Sequence, residues 1–426
     1  MQNLCRCRVN TKVKKEREIM LEKKKVELMV DLGNSQTRAV ARCGFETGKI
    51  LHKTFMLDNS FAPVDDDYEL DEILDGGEYS DVDSFAAEVD LNDIVPNLEG
   101  IVVGGVLANR NYGRSIVVPR SERAKYENWM VYLALINVID KTLQWLNEYS
   151  TSAGTTKGDV TKAFTFDVTL LVPPLQQKEG AKVFKVNLVD KGLTYVDYFT
   201  KEHIKVDIGS VDVKPEGMAA FIAHLYSYDT LQPRSIAAEL LSKKLLILDI
   251  GAGTTDILAV DRGQLVESSR TTIKLGGNNI ISTVRSKYNK RNNTNLSEPV
   301  FKEVLINPEI GVGDTKVDVS KIVESSKREI ARDLINEITS FFEAQNVDLK
   351  TFNLLLVVGG GALSSGESKA LSELIYNGVV DYIPKIRLLE EGIVEEPLLY
   401  EGALDLTTLR NLNLLGVLTA KALQSK

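Results

Sequence analysis

The chain has 426 residues, 43% of them hydrophobic and 26% charged, which suits a globular protein with room for two or more domains. Its formal net charge of −9 is uneven: residues 1–25 hold nine Lys/Arg against three acids, whereas residues 54–109 hold fifteen Asp/Glu and no cation. An acidic body disfavours direct DNA binding, which needs a basic patch, and no run of eighteen apolar residues exists to cross a membrane.

Residues 1–19 are basic and aperiodic and are expected to form a disordered extension; either Met20 is the native start or the segment is a flexible arm. No apolar stretch follows these basic residues, so they do not read as a secretory signal, and a cytoplasmic protein is the expectation. Cys5 and Cys7 lack the second Cys or His pair of a zinc site, and three cysteines in all are too few for a disulfide framework. His52, His203 and His224 are far apart and read as surface or packing residues.

VELMV at 26–30 predicts a strand, and DLGNSQT then turns it back into TRAVARC, a β-hairpin. The acidic stretch 58–99 lacks strong periodicity and is expected as an insertion of loops and short elements. It is either a contact for basic residues or a solvated surface. IVVGGVLA at 101–108 reads as strand and turn, and the apolar spacing of 122–148 predicts a long helix. A loop covers 150–159, and FTFDVTLLV is a strand stopped by Pro173 and Pro174. Residues 203–227 read as strand, turn and helix. KLLILDIGAGTTDILAV at 244–260 is an apolar strand, a Gly-rich turn and a second apolar strand. A long helix over 321–345, a buried strand running into Gly359, Gly360 and Gly361, and a closing helix complete an α/β pattern. Leu412, Leu415, Leu418 and Leu423 of that last helix carry few cations beside them, which favours packing over a lipid surface.

The two Asp-Gly hairpins repeat. Asp31, Gly33, Ser35 and Thr37 align with Asp249, Gly251, Gly253 and Thr255 at one offset of 218, which suggests a duplicated domain facing itself across a cleft. Glycines let the backbone bend tightly and turn successive N–H groups toward phosphate oxygens. Ser35, Thr37, Thr254 and Thr255 would add hydroxyl donors. Carboxylates beside a polyphosphate need a cation between them, so Asp31 and Asp249 imply Mg2+ held through its water shell. Neither a Walker-type loop nor a dinucleotide G-x-G-x-x-G is present.

DLGNSQT, VKPEGMAA, LDIGAGTTD, VVGGGA and PLLYEGA occur in the order in which the actin, sugar-kinase and heat-shock-chaperone ATPases carry their first phosphate loop, first connecting segment, second phosphate loop, adenosine motif and second connecting segment. The chain resembles that superfamily, and within it the ParM-like bacterial actins. The VVGGVLANRNY segment, Glu216 in the connecting segment and the short stretch after the last motif carry this narrower likeness.

The resemblance implies an actin-like fold of two duplicated RNase H-like α/β domains around a nucleotide cleft, 20–215 with 397–426 as the first and 216–396 as the second. It implies ATP/ADP and Mg2+ as ligands. Asp31 and Asp249 would orient the metal, and Glu216 would position the attacking water, with Asp249 the competing base. Gly33, Asn34, Ser35, Thr37, Gly251, Gly253, Thr254 and Thr255 would hold phosphates. Gly359, Gly360 and Gly361 would approach adenine and ribose; Gly276 and Gly277 would border the base, and Arg332 and Asn336 would reach the nucleoside. It further implies a homopolymeric filament, an adaptor on centromere-like plasmid DNA, and no membrane contact. The rival readings are a small-molecule kinase on the same fold and a cell-shape or division actin.

Overall fold

A computed structural model describes residues 23–425, apart from 34–35, 45–49, 66, 75–83, 95, 97, 111–123, 150–156, 314, 363–369, 390–400, 403, 407 and 409. The extension 1–19 with Cys5 and Cys7, Met20, most of the 150–159 loop, and 397–400 of the second connecting segment therefore lie outside the described residues.

The first hairpin forms as its alternation predicts: β1 (Lys24–Leu32) pairs antiparallel with β2 (Gln36–Gly44), and β2 with β3 (Ile50–Asp58). The acidic stretch is more ordered than its composition suggests. It supplies β4 (Phe61–Val64), α1 (Asp67–Leu74) and β5 (Ser84–Asp90), and β6 (Glu99–Gly105) follows, leading into α2 (Val106–Arg110). The expected helix over 122–148 begins only at Trp129. Asn128 accepts the Met130 N–H through its side chain, and α3 (Trp129–Tyr149) runs on from there. Between 130 and 143 every residue of α3 is buried, because it lies in one core with residues of the first hairpin and of the acidic stretch.

After α4 (Lys157–Ala163) come β7 (Phe164–Val172), α5 (Gln177–Phe184), β8 (Leu193–Asp197), β9 (Glu202–Val206) and β10 (Ile208–Pro215). The stretch from 203 is thus two strands rather than one. Asp207 separates them, its carbonyl accepting the Phe166 N–H, and they enter different sheets. β10-β7-β1-β2-β3 form the first large sheet, whereas β4-β6-β5-β8-β9 form a smaller one. Lys157 ties the smaller sheet to α3. Its buried ammonium donates to Asp140 at 2.8 Å and to Asp197 at 2.7 Å, and the Tyr195 hydroxyl also donates to Asp140.

The second half repeats the first. After α6 (Met218–Leu225) and α7 (Ala237–Ser242), β11 (Lys244–Ile250) pairs antiparallel with β12 (Thr255–Asp261), which pairs with β13 (Gln264–Leu265) and β14 (Thr271–Ile273). Then follow α8 (Gly277–Asn292), the hairpin β15 (Glu309–Val312) and β16 (Thr315–Asp318), α9 (Ser320–Ala344), β17 (Leu354–Val358), α10 (Leu371–Val379) and β18 (Arg387–Leu388). The second sheet has the order β13-β12-β11-β17-β18. β19 (Glu401–Gly402) returns to the edge of the first sheet beside β3, and α11 (Leu412–Gln424) packs on α6. α6 and α11 share a core with Met29 and Val40 of the first sheet and Leu245, Ile247 and Leu258 of the second, so the two helices join the sheets. The closing helix is packed: Leu412, Leu415 and Leu418 are buried.

Candidate functional site

Each hairpin is built to the same register. In the first, Asp31 lies opposite Arg38 and beside Leu171 of β7; in the second, Asp249 lies opposite Asp256 and beside Val358 of β17. The offset of 218 therefore maps Arg38 onto Asp256. Asp31 is neutralised by the Arg38 guanidinium at 2.9 Å, both groups being nearly buried. Asp249 faces a second carboxylate instead.

The loop backbones close on themselves. A Cβ on Gly33 would fall 2.6 Å from the Gln36 carbonyl oxygen, so the first turn excludes a side chain there. Thr37 donates to Asn59 Oδ1 at 2.7 Å, and Asn59 donates back to the Gly33 carbonyl. Asn34 and Ser35 lie outside the described residues. In the second loop, Gly251 N–H donates to the Thr254 carbonyl at 2.8 Å, and the Thr255 hydroxyl donates to the Leu275 carbonyl at 2.7 Å. Thr37 and Thr255, equivalent by the repeat, both anchor their hairpins with their hydroxyls. Gly253 and Thr254 are half-buried on the same turn.

Two glycine segments press on the second loop. Gly277 N–H donates to the Gly251 carbonyl and Asn278 N–H to the Ala252 carbonyl, and a Cβ on Gly276 would meet three loop atoms within 3 Å. Gly359 has φ +92°, and a Cβ there would fall 2.5 Å from Asp249 Oδ1; one on Gly361 would fall 2.9 Å from the Gly251 carbonyl oxygen. Gly360 faces Arg410, whose guanidinium donates to Gln36 and whose carbonyl accepts from Arg38. Arg410 thus links the first loop to the glycine run.

Glu216 follows β10, with its N–H on the Val172 carbonyl, and Gly217 after it takes φ +75°. Its carboxylate is ion-paired with Lys125, whose backbone N–H is fixed by Gln176 Oε1 at 2.8 Å. Burial works against the Lys125 charge, but the Glu216, Asp31 and Asp256 carboxylates outweigh it and raise its pKa. Burial and the neighbouring Glu216 carboxylate push Asp249 up to about 7, against an opposing hydrogen bond from Asn413. Burial and Glu216 also drive Asp256 well above the carboxylate range, while the Thr272 hydroxyl donates to it. Asp31 on β1, Glu216 after β10, Asp249 on β11 and Asp256 on β12 thus bring four carboxylates together from two sheets.

Asn413 completes the site. Its amide N–H donates to Asp249 Oδ2 at 2.6 Å, and its carbonyl oxygen accepts from Gly217 and Ala220 N–H. Lys125, Asp256, Asn413 and Arg410 were missed from sequence. Of these only Asp256 carried a signal, its place in the repeat. Arg332 and Asn336 are exposed on α9, Arg332 beside Asp333 at 3.7 Å, and among the described residues no hydrogen bond joins either to the loops. No group of three or more His, Cys, Asp or Glu among the described residues is placed to ligate an ion directly. The oxygen donors of Asp31 and Asp249 fit a hard, hydrated cation.

Residues 247–368 match the family model for the archaeal actin homologue MreB-like C-terminal domain. No curated protein matches the chain by sequence. Among solved structures, the actin-like protein Alp7A matches at 13% identity over 94% of this chain and 98% of its own, TM-score 0.60. The archaeal actin homologue Ta0583 in complex with ADP matches at 14% identity over 94% and 100%, TM-score 0.57. A 15-stranded ParM filament from Clostridium botulinum matches at 14% identity over 92% and 99%, TM-score 0.54. The chain has an actin-like fold.

Proposed function

We propose that this chain binds and hydrolyses ATP between its two Asp-Gly hairpins and couples hydrolysis to a filament that segregates plasmid DNA in the cytoplasm. The observation that carries the nucleotide reading is the unequal charge of the paired hairpins. Asp31 has its arginine, whereas Asp249, Asp256 and Glu216 crowd together with Lys125 as the one cation bonded among them in the described residues. Buried carboxylates in excess are costly until a cation joins them.

Mg2+ would supply the charge that lets a polyphosphate lie beside these carboxylates. In this reading Asp31 and Asp249 orient its water shell, and Asn413 fixes the Asp249 carboxylate toward it. The N–H groups around Gly33, Asn34 and Ser35, and those of Gly253 and Thr254 in the turn that Gly251 closes, bind phosphate oxygens from opposite sides. Glu216 positions the attacking water, with Asp249 the competing base. Gly359, Gly360 and Gly361, with Gly276 and Gly277, give the backbone its close approach to the nucleoside, and Arg332 and Asn336 extend that wall.

Residues 20–215 with 397–426, and 216–396, act as two wings tied together by the terminal phosphate and released when it leaves. Head-to-tail contacts between such subunits do not close on themselves, which is the geometry of a filament. The ADP complex of Ta0583 and the ParM filament support this reading by fold alone. An adaptor on centromere-like DNA would serve as the partner, the acidic body being unsuited to hold DNA itself.

Purified protein with Mg-ATP is expected to release phosphate with no added acceptor and to form polymers visible by electron microscopy. Phosphate transfer only to an added small molecule, with no polymer in any nucleotide or salt, would overturn the filament reading in favour of a kinase.

A further inference from the structure

Lys125 has no part in the proposed chemistry so far, yet it occupies the middle of the carboxylate group. It precedes α3, its ammonium is largely enclosed, and it pairs with Glu216. A second contact, 3.5 Å to the Leu171 carbonyl, sets it beside the strand position that flanks Asp31. It feels the charge of Asp31 from the first hairpin and of Asp256 from the second. Its ammonium is therefore held at Glu216 and the Leu171 carbonyl, within the field of carboxylates from both hairpins.

We infer that Lys125 senses the terminal phosphate of the nucleotide: it leaves Glu216 for the phosphate oxygens, and only then is the Glu216 carboxylate free to hold the attacking water. The inference rests on the proposed ATP-binding role. Its physical basis is competition for one enclosed cation. A carboxylate offers Lys125 a single charge, whereas a terminal phosphate offers more charge and three acceptor oxygens. A diphosphate that stops short of the ammonium lets the Lys125–Glu216 pair close again, so Glu216 is occupied once product has formed. The ion pair is thus an inhibitory contact that the substrate itself opens.

The test compares Glu216→Gln, Lys125→Met, Lys125→Arg and the double variant Glu216→Gln/Lys125→Met, each read by ATP and ADP affinity and by single-turnover phosphate release. Glu216→Gln removes the competitor. It is expected to bind ATP about five- to tenfold more tightly with ADP affinity unchanged, while phosphate release falls about 100-fold. Lys125→Met is expected to lose the preference for ATP over ADP, and Lys125→Arg to restore most of it.

The gain in ATP affinity from Glu216→Gln must vanish when Lys125 is already Met, a coupling that a merely structural lysine does not show. An unchanged ATP-to-ADP ratio in Glu216→Gln, or a gain that persists without Lys125, overturns the inference even if Lys125→Met proves unstable. Wild-type protein that binds no ATP overturns the proposed function itself, so the two failures are distinct.

Discussion

His52 on β3 lies opposite Arg42 on β2, with Nε2 3.0 Å from the Tyr228 hydroxyl. Burial, and then the Arg42 charge, lower its pKa to about 4. The folded protein therefore keeps it neutral, whereas an unfolded histidine takes up a proton near pH ~6.5. Its contribution to stability is complete above that pH and is lost as pH falls toward 4. Denaturant unfolding at pH 7 and pH 5 is expected to show a larger loss for the wild type than for His52→Gln; equal losses would refute the assignment.

Single residues were legible in sequence where a repeat or a backbone constraint marked them. Asp31 and Asp249 stood at equivalent places of two hairpins, and Gly359 now shows why no side chain is allowed beside Asp249. Lys125 and Asn413 were not legible. Each is a lone polar residue whose meaning comes from a partner far along the chain, Glu216 for one and Asp249 for the other. No local pattern encodes such a pairing.

At the scale of elements, local signals succeeded where partners were close in sequence, as in the hairpins. Across 58–99 they gave only short elements without naming them, because β5 takes one edge partner from β8, more than a hundred residues on. Charged side chains such as Glu88 and Asp90 point outward from β5, while Phe85, Ala86, Ala87 and Val89 are buried. The abundance of acids masked a strand that keeps them on its surface. The contact of α6 with α11 is set by size rather than pattern. A Cβ on Gly416 would fall 1.6 Å from the Ala219 carbonyl oxygen, so Gly416→Ala must push the helices apart. A loss of about 1–3 kcal/mol, read as a lower denaturation midpoint, is expected from such overpacking. An unchanged midpoint would mean that the backbones separate at no cost.

Across the whole molecule, polar contacts among the described residues also join the half that carries the first hairpin to the half that carries the second, away from the carboxylates. Lys302 Nζ lies 3.2 Å from Asp58 Oδ2, and Arg270 donates to the Pro174 carbonyl at 3.2 Å. The Lys302 side chain is 61% exposed, so its pair contributes only about 0.2–1 kcal/mol. With the two wings moving as proposed, that is about a 1.4- to 5-fold change in the balance of closed and open forms. Lys302→Gln is expected to speed nucleotide dissociation by that factor at low ionic strength, with the difference from wild type fading as salt screens the pair. A difference that survives high salt would assign the effect to packing.

The rivet of Lys157 between Asp140 and Asp197 has a mechanical meaning. It fastens the small sheet to the middle of α3, a rod about 30 Å long. An apolar seam can creep under shear, because its contacts are interchangeable. One ammonium gripping two carboxylates cannot, because breaking it strands buried charge at a cost of about 3–5 kcal/mol. A force on the small sheet would therefore pass to α3 through this bond, and α3 begins four residues after Lys125.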